Sequence, residues 1–398
     1  MPSRRRVLVS IGTIGTTAIA GCVGRQTTDP GTIEQYPWPT SGADHQNSRA
    51  VTDGVAPREN PTVEWRVDLE AALANGEPIV TDSTVLVTTG RDVVAFDREN
   101  KTRRWSVDPD NQPYRYSGAP AVHDGVAYIP EERTLTARDL DSGEHQWSHA
   151  FDRVFDRSSP VVRERGDTAT VYAAAGNAVK AIDGDTGELQ WEQDLDGIVR
   201  TSIAYTPRGL YVTTSGGELY AIDRSGFVAW RRTIEAGIET APVAINAGGV
   251  VVGTGEGTIQ QFDSQGRREW ETTLTSFIED GLAIAHQTLL VCSGSTLYAL
   301  DPSNGRERWR VNVGDVSRNP PIVVGDSVYV GGDRLHGFDI GGGYGVRTYR
   351  VGAKRFERTP PGSVSFLTAA DGKLFVTTDV GQADAETAEL VVYSESDG

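Results

Sequence analysis

The chain has 398 residues, 55 acidic and 38 basic, for a net charge of −17 at pH 7. A surface of that sign offers no basic face to phosphates, which excludes nucleic acid as a partner. The two cysteines, Cys22 and Cys292, supply neither a disulfide framework nor a Cys/His zinc spacing.

Only Lys101, Lys180, Lys354 and Lys373 are lysines; the other basic residues are Arg. An acidic, Lys-poor surface stays hydrated where strong salt screens its self-repulsion. A salt-loving archaeal source is expected, with an acidic protein of a GC-rich genome as the alternative.

The chain starts with an address. Ser3-Arg4-Arg5-Arg6, followed by Val7 and Leu8, is similar to a twin-arginine export signal. The apolar run Val7 to Ala20 is 14 residues, short for a bilayer span and right for a signal core. It ends in Ile19-Ala20-Gly21-Cys22, similar to a lipobox, in which small residues admit a peptidase and the thiol takes a lipid. The expectation is a signal peptide over 1–21, lipidation of Cys22 and a place on the extracytoplasmic face of the cell membrane. Residues 23–37 are polar and broken by Pro and Gly, and read as a tether. With the stretch up to 61 they form a segment that precedes the main domain, 62–398.

One unit recurs through that domain. Its copies are "AFDRENKTRRW" (95–105), "ARDLDSGEHQW" (137–147), "AIDGDTGELQW" (181–191), "AIDRSGFVAW" (221–230), "QFDSQGRREW" (261–270) and "ALDPSNGRERW" (299–309). "GFDIGGGYGVRTY" (337–349) reads as a decayed copy. Trp65, Trp105, Trp147, Trp191, Trp230, Trp270 and Trp309 fall in one phase, and Tyr349 continues it, at separations of 40, 42, 44, 39, 40, 39 and 40 residues. Around each copy lie four short alternating runs separated by Gly, Asn and Asp, the pattern of antiparallel hairpins. Repeated four-stranded units of this size predict an all-β fold, an eight-bladed β-propeller. The third strands end at Asp97, Asp139, Asp183, Asp223, Asp263, Asp301, Asp339 and Ser394. The last unit lacks a fourth strand, and "TVEWRVDL" (62–69) is a fourth strand without its first three. The N-terminal strand is therefore expected to close the ring on the C-terminal blade, leaving no open edge. Each Trp is expected on an outermost strand, packing on the neighbouring blade with its indole N–H on an acceptor.

The pattern A-x-D-x-x-T-G-x-x-x-W resembles that of the pyrroloquinoline-quinone (PQQ) repeat propellers over roughly residues 62–398. "WPTSGADHQNSR" (38–49) is similar to the lead-in of that family, departing from it at Ser48-Arg49. The resemblance implies one of two functions. Quinoprotein dehydrogenases hold PQQ and calcium over the central channel. The non-catalytic branch includes the lipoprotein BamB of the bacterial outer-membrane assembly machine, a binding scaffold. The enzymes carry adjacent disulfide-linked cysteines and long insertions, both missing here, so no cofactor is expected and PQQ with calcium is the alternative. In an archaeal cell the outer-membrane role would not transfer.

Other motifs carry less. The six His are scattered, and His145 and His149 do not converge on a strand. "GTGEG" (253–257) opens no helix and has no means of holding pyrophosphate. The acidic stretch 378–389 reads as a solvated loop, and Asn100-Lys101-Thr102 is a glycosylation sequon in a turn. The loops leading into each first strand gather at one mouth of a propeller channel. Aligned there are Asn75, Ser117, Arg157, Arg200, Glu239, Glu279, Arg318 and Arg358, with Tyr114, Tyr116, Phe155 and Phe356 nearby. These charges either grip a protein, peptide or other charged ligand, Arg being suited to carboxylates, or pair between blades and plug the channel. The function expected is a lipid-anchored, non-catalytic scaffold for a protein or ligand partner, with a role in envelope assembly or folding.

Overall fold

A computed structural model of the chain describes residues 35–107, 116, 118–166, 168–245, 248–278, 281–314, 320–346, 349–351, 353–382 and 385–396. Arg4, Arg5, Arg6, Cys22, Tyr114, Ser117, Glu279 and Arg318 lie outside them. Eight antiparallel sheets follow one another round a ring, and no helix occurs among the described residues. Blade 1 is Ile79–Val80, Thr84–Thr88, Val93–Asp97 and Arg103–Val107, and blade 3 is Val161–Arg165, Thr168–Ala175, Ala178–Asp183 and Leu189–Asp194. Blade 8 is composite, as the sequence predicts: Ser363–Ala370, Lys373–Gln382 and Ala385–Glu395 are completed by the N-terminal strand Pro61–Asp68.

Every blade shifts register once between its third and fourth strands, as at Ala181/Ile182 opposite Trp191. The extra residue is a bulge that increases local twist. The core lies between sheets: Tyr172 and Val179 of blade 3 pack on Leu210, Val212 and Ile222 of blade 4. Each such aliphatic side chain contributes about 1.5–3 kcal/mol of burial free energy.

Between blades the Trp works as a clamp. The indole N–H of Trp105, Trp147, Trp191, Trp230, Trp270 and Trp309 donates to a carbonyl in the next blade's last turn, those of Leu140, Gly184, Arg224, Ser264, Pro302 and Ile340, at 2.8–3.1 Å. A Gly of the same turn lies on the ring: a Cβ on Gly187, φ +75, would meet Trp147 at 2.7 Å. The residue two after the Trp often adds a bond to that turn, as Thr272 Oγ1 does to Gly305 O at 2.8 Å.

Blade 7 departs from the expected phase. Its third strand, Leu335–Asp339, pairs with Lys354–Arg358, and Gly337 faces Phe356. Phe356, not Tyr349, takes the Trp position. Tyr349 belongs to a small inserted hairpin, Tyr344–Val346 with Tyr349–Val351. The insertion displaces the outer strand by seven residues (356 against 349).

The lead-in segment lies inside the propeller. Tyr36 N donates to Asp371 of blade 8 at 2.5 Å, and the chain then runs round the channel. First strands border the channel with a free edge of backbone donors, which must be answered if buried. The carbonyls of Pro39, His45, Gln46, Ser48 and Arg49 accept from Val122, Tyr205, Ala244, Ile284 and Val323, the first strands of blades 2, 4, 5, 6 and 7. Trp38, fully buried, exchanges both backbone bonds with Val80 of blade 1. Thr40 Oγ1 reaches Pro160 O of blade 3. Ala50–Val51 adds a parallel strand to blade 7. The segment turns tightly, with Ala43, Asn47 and Arg49 at positive φ. Non-Gly residues there cost about 1–2 kcal/mol each, offset by the bonds to the channel wall.

Candidate functional site

The blades define two faces. One carries the loops that lead into each first strand and the second-to-third-strand turns; the other carries the remaining hairpin turns. The channel opens on the loop face above the lead-in. Its floor holds a buried ion pair, Arg49 with Glu77, whose side chains are 10% and 7% exposed. Glu77 also accepts from Gly42 N at 3.0 Å and from the Trp38 indole at 3.4 Å. Asn47 Nδ2 donates to Pro242 O at 3.0 Å, so the floor is tied to the leading loop of blade 5. Around the floor the wall residues are small: Gly76, Gly118, Ser158, Ser159 and Ser202. A Cβ on Gly118, φ +100, would meet Ser158 O at 2.6 Å, so close loop packing requires Gly there.

Above the wall the loops repeat a position that the sequence reading missed. Each turns a buried anchor inward: Ala74, Phe155, Val199, Ile238 and Ile278. The residue just before the anchor points out, and in four loops it is large and apolar. Leu73, Val154, Ile198 and Phe277 are 41–48% exposed. The only available signal was an apolar pair in each of these four loops, unreadable without knowing which member is buried.

The sequence-predicted charges divide. Arg157 and Arg200 are exposed on the rim, and Arg200 Nε pairs with Asp156 of the neighbouring loop at 2.8 Å. Glu239 is exposed with Glu235 and Glu256, giving blade 5 an acidic arc beside the Arg-bearing loops of blades 3 and 4. Asn75 is half-buried and donates to Tyr116 O at 3.0 Å. Arg358 is not at the mouth. It ends the outer strand of blade 7, two residues after Phe356, and bonds Pro61 O at 2.9 Å and Asn60 Oδ1 at 2.7 Å. This is the clamp position that Thr272 fills in blade 5. Tyr116, Phe155 and Phe356 are buried and offer the mouth no aromatic face. Adjacent blades do pair their charges, but it is the lead-in that fills the channel. Asn100 is exposed in the blade 1 turn.

His45 of the lead-in faces the other way. Its Nδ1 lies 3.4 Å from Arg163 Nη1, and Arg163 stacks over Tyr205 at 5.2 Å. Burial, then the Arg163 charge, lowers the His45 pKa. Cys292 is buried, its thiol pushed up to about 12 by burial, and is chemically inert.

A planar tricarboxylated quinone with a divalent cation asks for flat aromatic walls and converging carboxylates. The phased Trp residues all sit on outer strands, and Trp38 is sealed in the lead-in. Among the described residues no three His, Cys, Asp or Glu side chains converge on a metal position. The described mouth does not fit that group.

The family model for "outer membrane protein assembly factor BamB" matches residues 58–179 and 175–398, and the chain belongs to this family of PQQ-like propellers. Among curated proteins, serine/threonine-protein kinase AfsK of Streptomyces griseus is 29% identical over 175 residues, 42% of this chain. The match spans only 22% of that kinase. Three solved structures share the fold. A europium-containing methanol dehydrogenase has a TM-score of 0.75 at 12% identity, covering 91% of this chain and 98% of that one. Quinohemoprotein alcohol dehydrogenase from Comamonas testosteroni has 0.70 at 14%, covering 92% and 81%. BamB from Moraxella catarrhalis has 0.65 at 16%, covering 84% and 99%. At these identities the likeness is one of fold alone.

Proposed function

We propose that the chain is a non-catalytic propeller scaffold that binds a protein or peptide partner on its loop face. The observation that carries this reading is the pairing of a filled channel with an outward apolar ring. The lead-in occupies the axis where a propeller enzyme would hold a cofactor, while Leu73, Val154, Ile198 and Phe277 stay outside the core. Exposed apolar side chains rimmed by charge are the composition of a docking surface. Arg157 and Arg200 suit carboxylates of a partner, and the Glu235–Glu239 arc suits its cations. Family membership supports a scaffold of the assembly-factor kind.

The proposal includes twin-arginine export, a lipid on Cys22 and a workplace on the extracytoplasmic face of the membrane, carried by the N-terminal motifs. Metabolic labelling with a radioactive fatty acid or isoprenoid precursor, lost in Cys22→Ser, tests the anchor. For the partner, the full chain is purified from its native membranes with bound proteins, as wild type and as Arg157→Ala/Arg200→Ala. Loss of a stoichiometric partner at unchanged melting temperature supports the loop face. Retention of the partner, or saturable PQQ and Ca²⁺ binding with dye reduction, overturns the reading.

A further inference from the structure

Seven tryptophans share one phase, and six are closed over by the next blade. Trp65 is the exception. The turn that should cover it is Asp97-Arg98-Glu99-Asn100-Lys101 of blade 1, and Lys101, φ +60, stands where the other turns have Gly. At the six closed junctions a Cβ on that Gly would meet the indole at 2.5–2.8 Å, closer than side chains pack. Lys101 carries such a Cβ in place of that Gly, and its Nζ pairs with Glu64, beside Trp65, at 3.2 Å. The Arg98 carbonyl does not accept from the Trp65 N–H, which has no acceptor among the described residues.

Trp65 and Phe375 line a cleft of about 180 Å³ at this junction. Its cations are already engaged. Arg98 pairs with Asp371 at 2.8 Å and lies over Phe375, and Lys373 pairs with Glu64 at 2.7 Å. Asp82 and Glu99, also lining it, are exposed and make no ion pair among the described residues. A half-buried indole lining the cleft, an unanswered N–H donor and two free carboxylates describe a ligand: a cation for the ring and the carboxylates, and an acceptor for the N–H. Indole faces attract weakly hydrated organic cations by the ring quadrupole.

We propose that this cleft binds a small methylated-ammonium zwitterion, its cationic head over Trp65 and its carboxylate on the indole N–H. The site lies at the blade 8–blade 1 junction, away from the loop face, and does not depend on the partner reading above.

The probe is trimethylglycine, with 3,3-dimethylbutanoate as the isostere that keeps the carboxylate and lacks the charge. The full chain is labelled with ¹⁵N at indole nitrogen, and the Trp65 resonance is identified by its loss in Trp65→Phe. Trimethylglycine is expected to shift that resonance saturably, and the isostere at least tenfold more weakly. In Lys101→Gly the turn can close on the ring. The Trp65 N–H should then gain the slow solvent exchange of the other six, the response to trimethylglycine should fall at least tenfold, and the melting temperature should rise. An absent shift, an equal response to the isostere, or an undiminished response in Lys101→Gly overturns the proposal.

Discussion

Trp147 of blade 2 donates its indole N–H to Gly184 O of blade 3 at 2.8 Å, and Gly187 of the same turn lies against its ring. With Tyr128 Oη and His149 Nδ1 also bonded to this turn, these contacts join two sheets that share no strand. The turn gives the contact its shape: Asp183 Oδ1 accepts from Thr186 N at 2.9 Å and from Thr186 Oγ1 at 2.9 Å, fixing the loop that presents Gly187. Because the same residues that form the turn also receive the Trp, a repeat in sequence becomes a ring in space.

Gly187→Ala should be more damaging than its size suggests. The new methyl meets the Trp147 ring, and the residue must hold φ +75. Left-handed strain and overpacking together predict a loss of roughly 2–4 kcal/mol. Trp147→Phe, which gives up the hydrogen bond and keeps an aromatic ring, should cost about 1–2 kcal/mol. Denaturant midpoints of the two variants decide this; a harmless Gly187→Ala would remove the clamp argument.

Glu77→Gln tests the floor. It leaves the Arg49 guanidinium buried without its carboxylate, and breaking such a pair costs about 3–5 kcal/mol. Arg49→Met in the same chain should restore more than half of the loss, because no unpaired charge remains. A double variant as weak as the single one would contradict the pairing.

Acidification should weaken the fold through two imidazoles. Burial lowers the pKa of His45 and of His336, which faces Glu357, Lys354 and Arg334. The unfolded chain thus takes up these protons first, and stability that is complete above about pH 6.5 declines as pH falls through that value. Asp301, held at about 2 by Ser303 and Arg308, belongs to a separate step in strong acid. Thermal melts between pH 7.5 and 5.5 should show a falling midpoint, flattened in His45→Gln/His336→Gln. A flat wild-type profile would mean that neither ring is held neutral by the fold.

Arg358 and Arg200 should separate stability from binding. Arg358→Ala removes the bonds that tie blade 7 to Asn60 and Pro61, and should lower stability by about 1–2 kcal/mol without touching the loop face. Arg200 makes an exposed pair with Asp156, so Arg200→Ala should cost at most about 1 kcal/mol while weakening partner capture. Reversed outcomes would exchange the roles assigned to the two arginines.

The ring was readable because its determinants are local and periodic. A turn Asp, a turn Gly and a Trp recur in one window, so the composite blade 8 followed from counting strands. Phe356 was not readable, since the Tyr344–Val351 insertion breaks the spacing and Tyr349 happens to lie at the expected distance. That slip also placed Arg358 in a loop entering an innermost strand, whereas it ends the outer strand of blade 7. The lead-in shows no periodicity, because it answers backbone donors of successive blades rather than forming a face of its own. Of the mouth, Arg157, Arg200 and Glu239 were legible as charge. The apolar ring was not, since Val154 and Phe155 look alike in sequence and only burial tells them apart.

The most direct measurement is site-specific photocrosslinking of the full chain in its native membranes. A photoreactive phenylalanine is placed at Val154, Ile198 or Phe277 on the loop face, and at Phe227, 71% exposed on the opposite face, as the comparison. Binding on the loop face predicts one common protein adduct from the first three positions, absent from Phe227 and lost with Arg157→Ala/Arg200→Ala. Adducts from Phe227 alone, or the same adduct from all four positions, would contradict it.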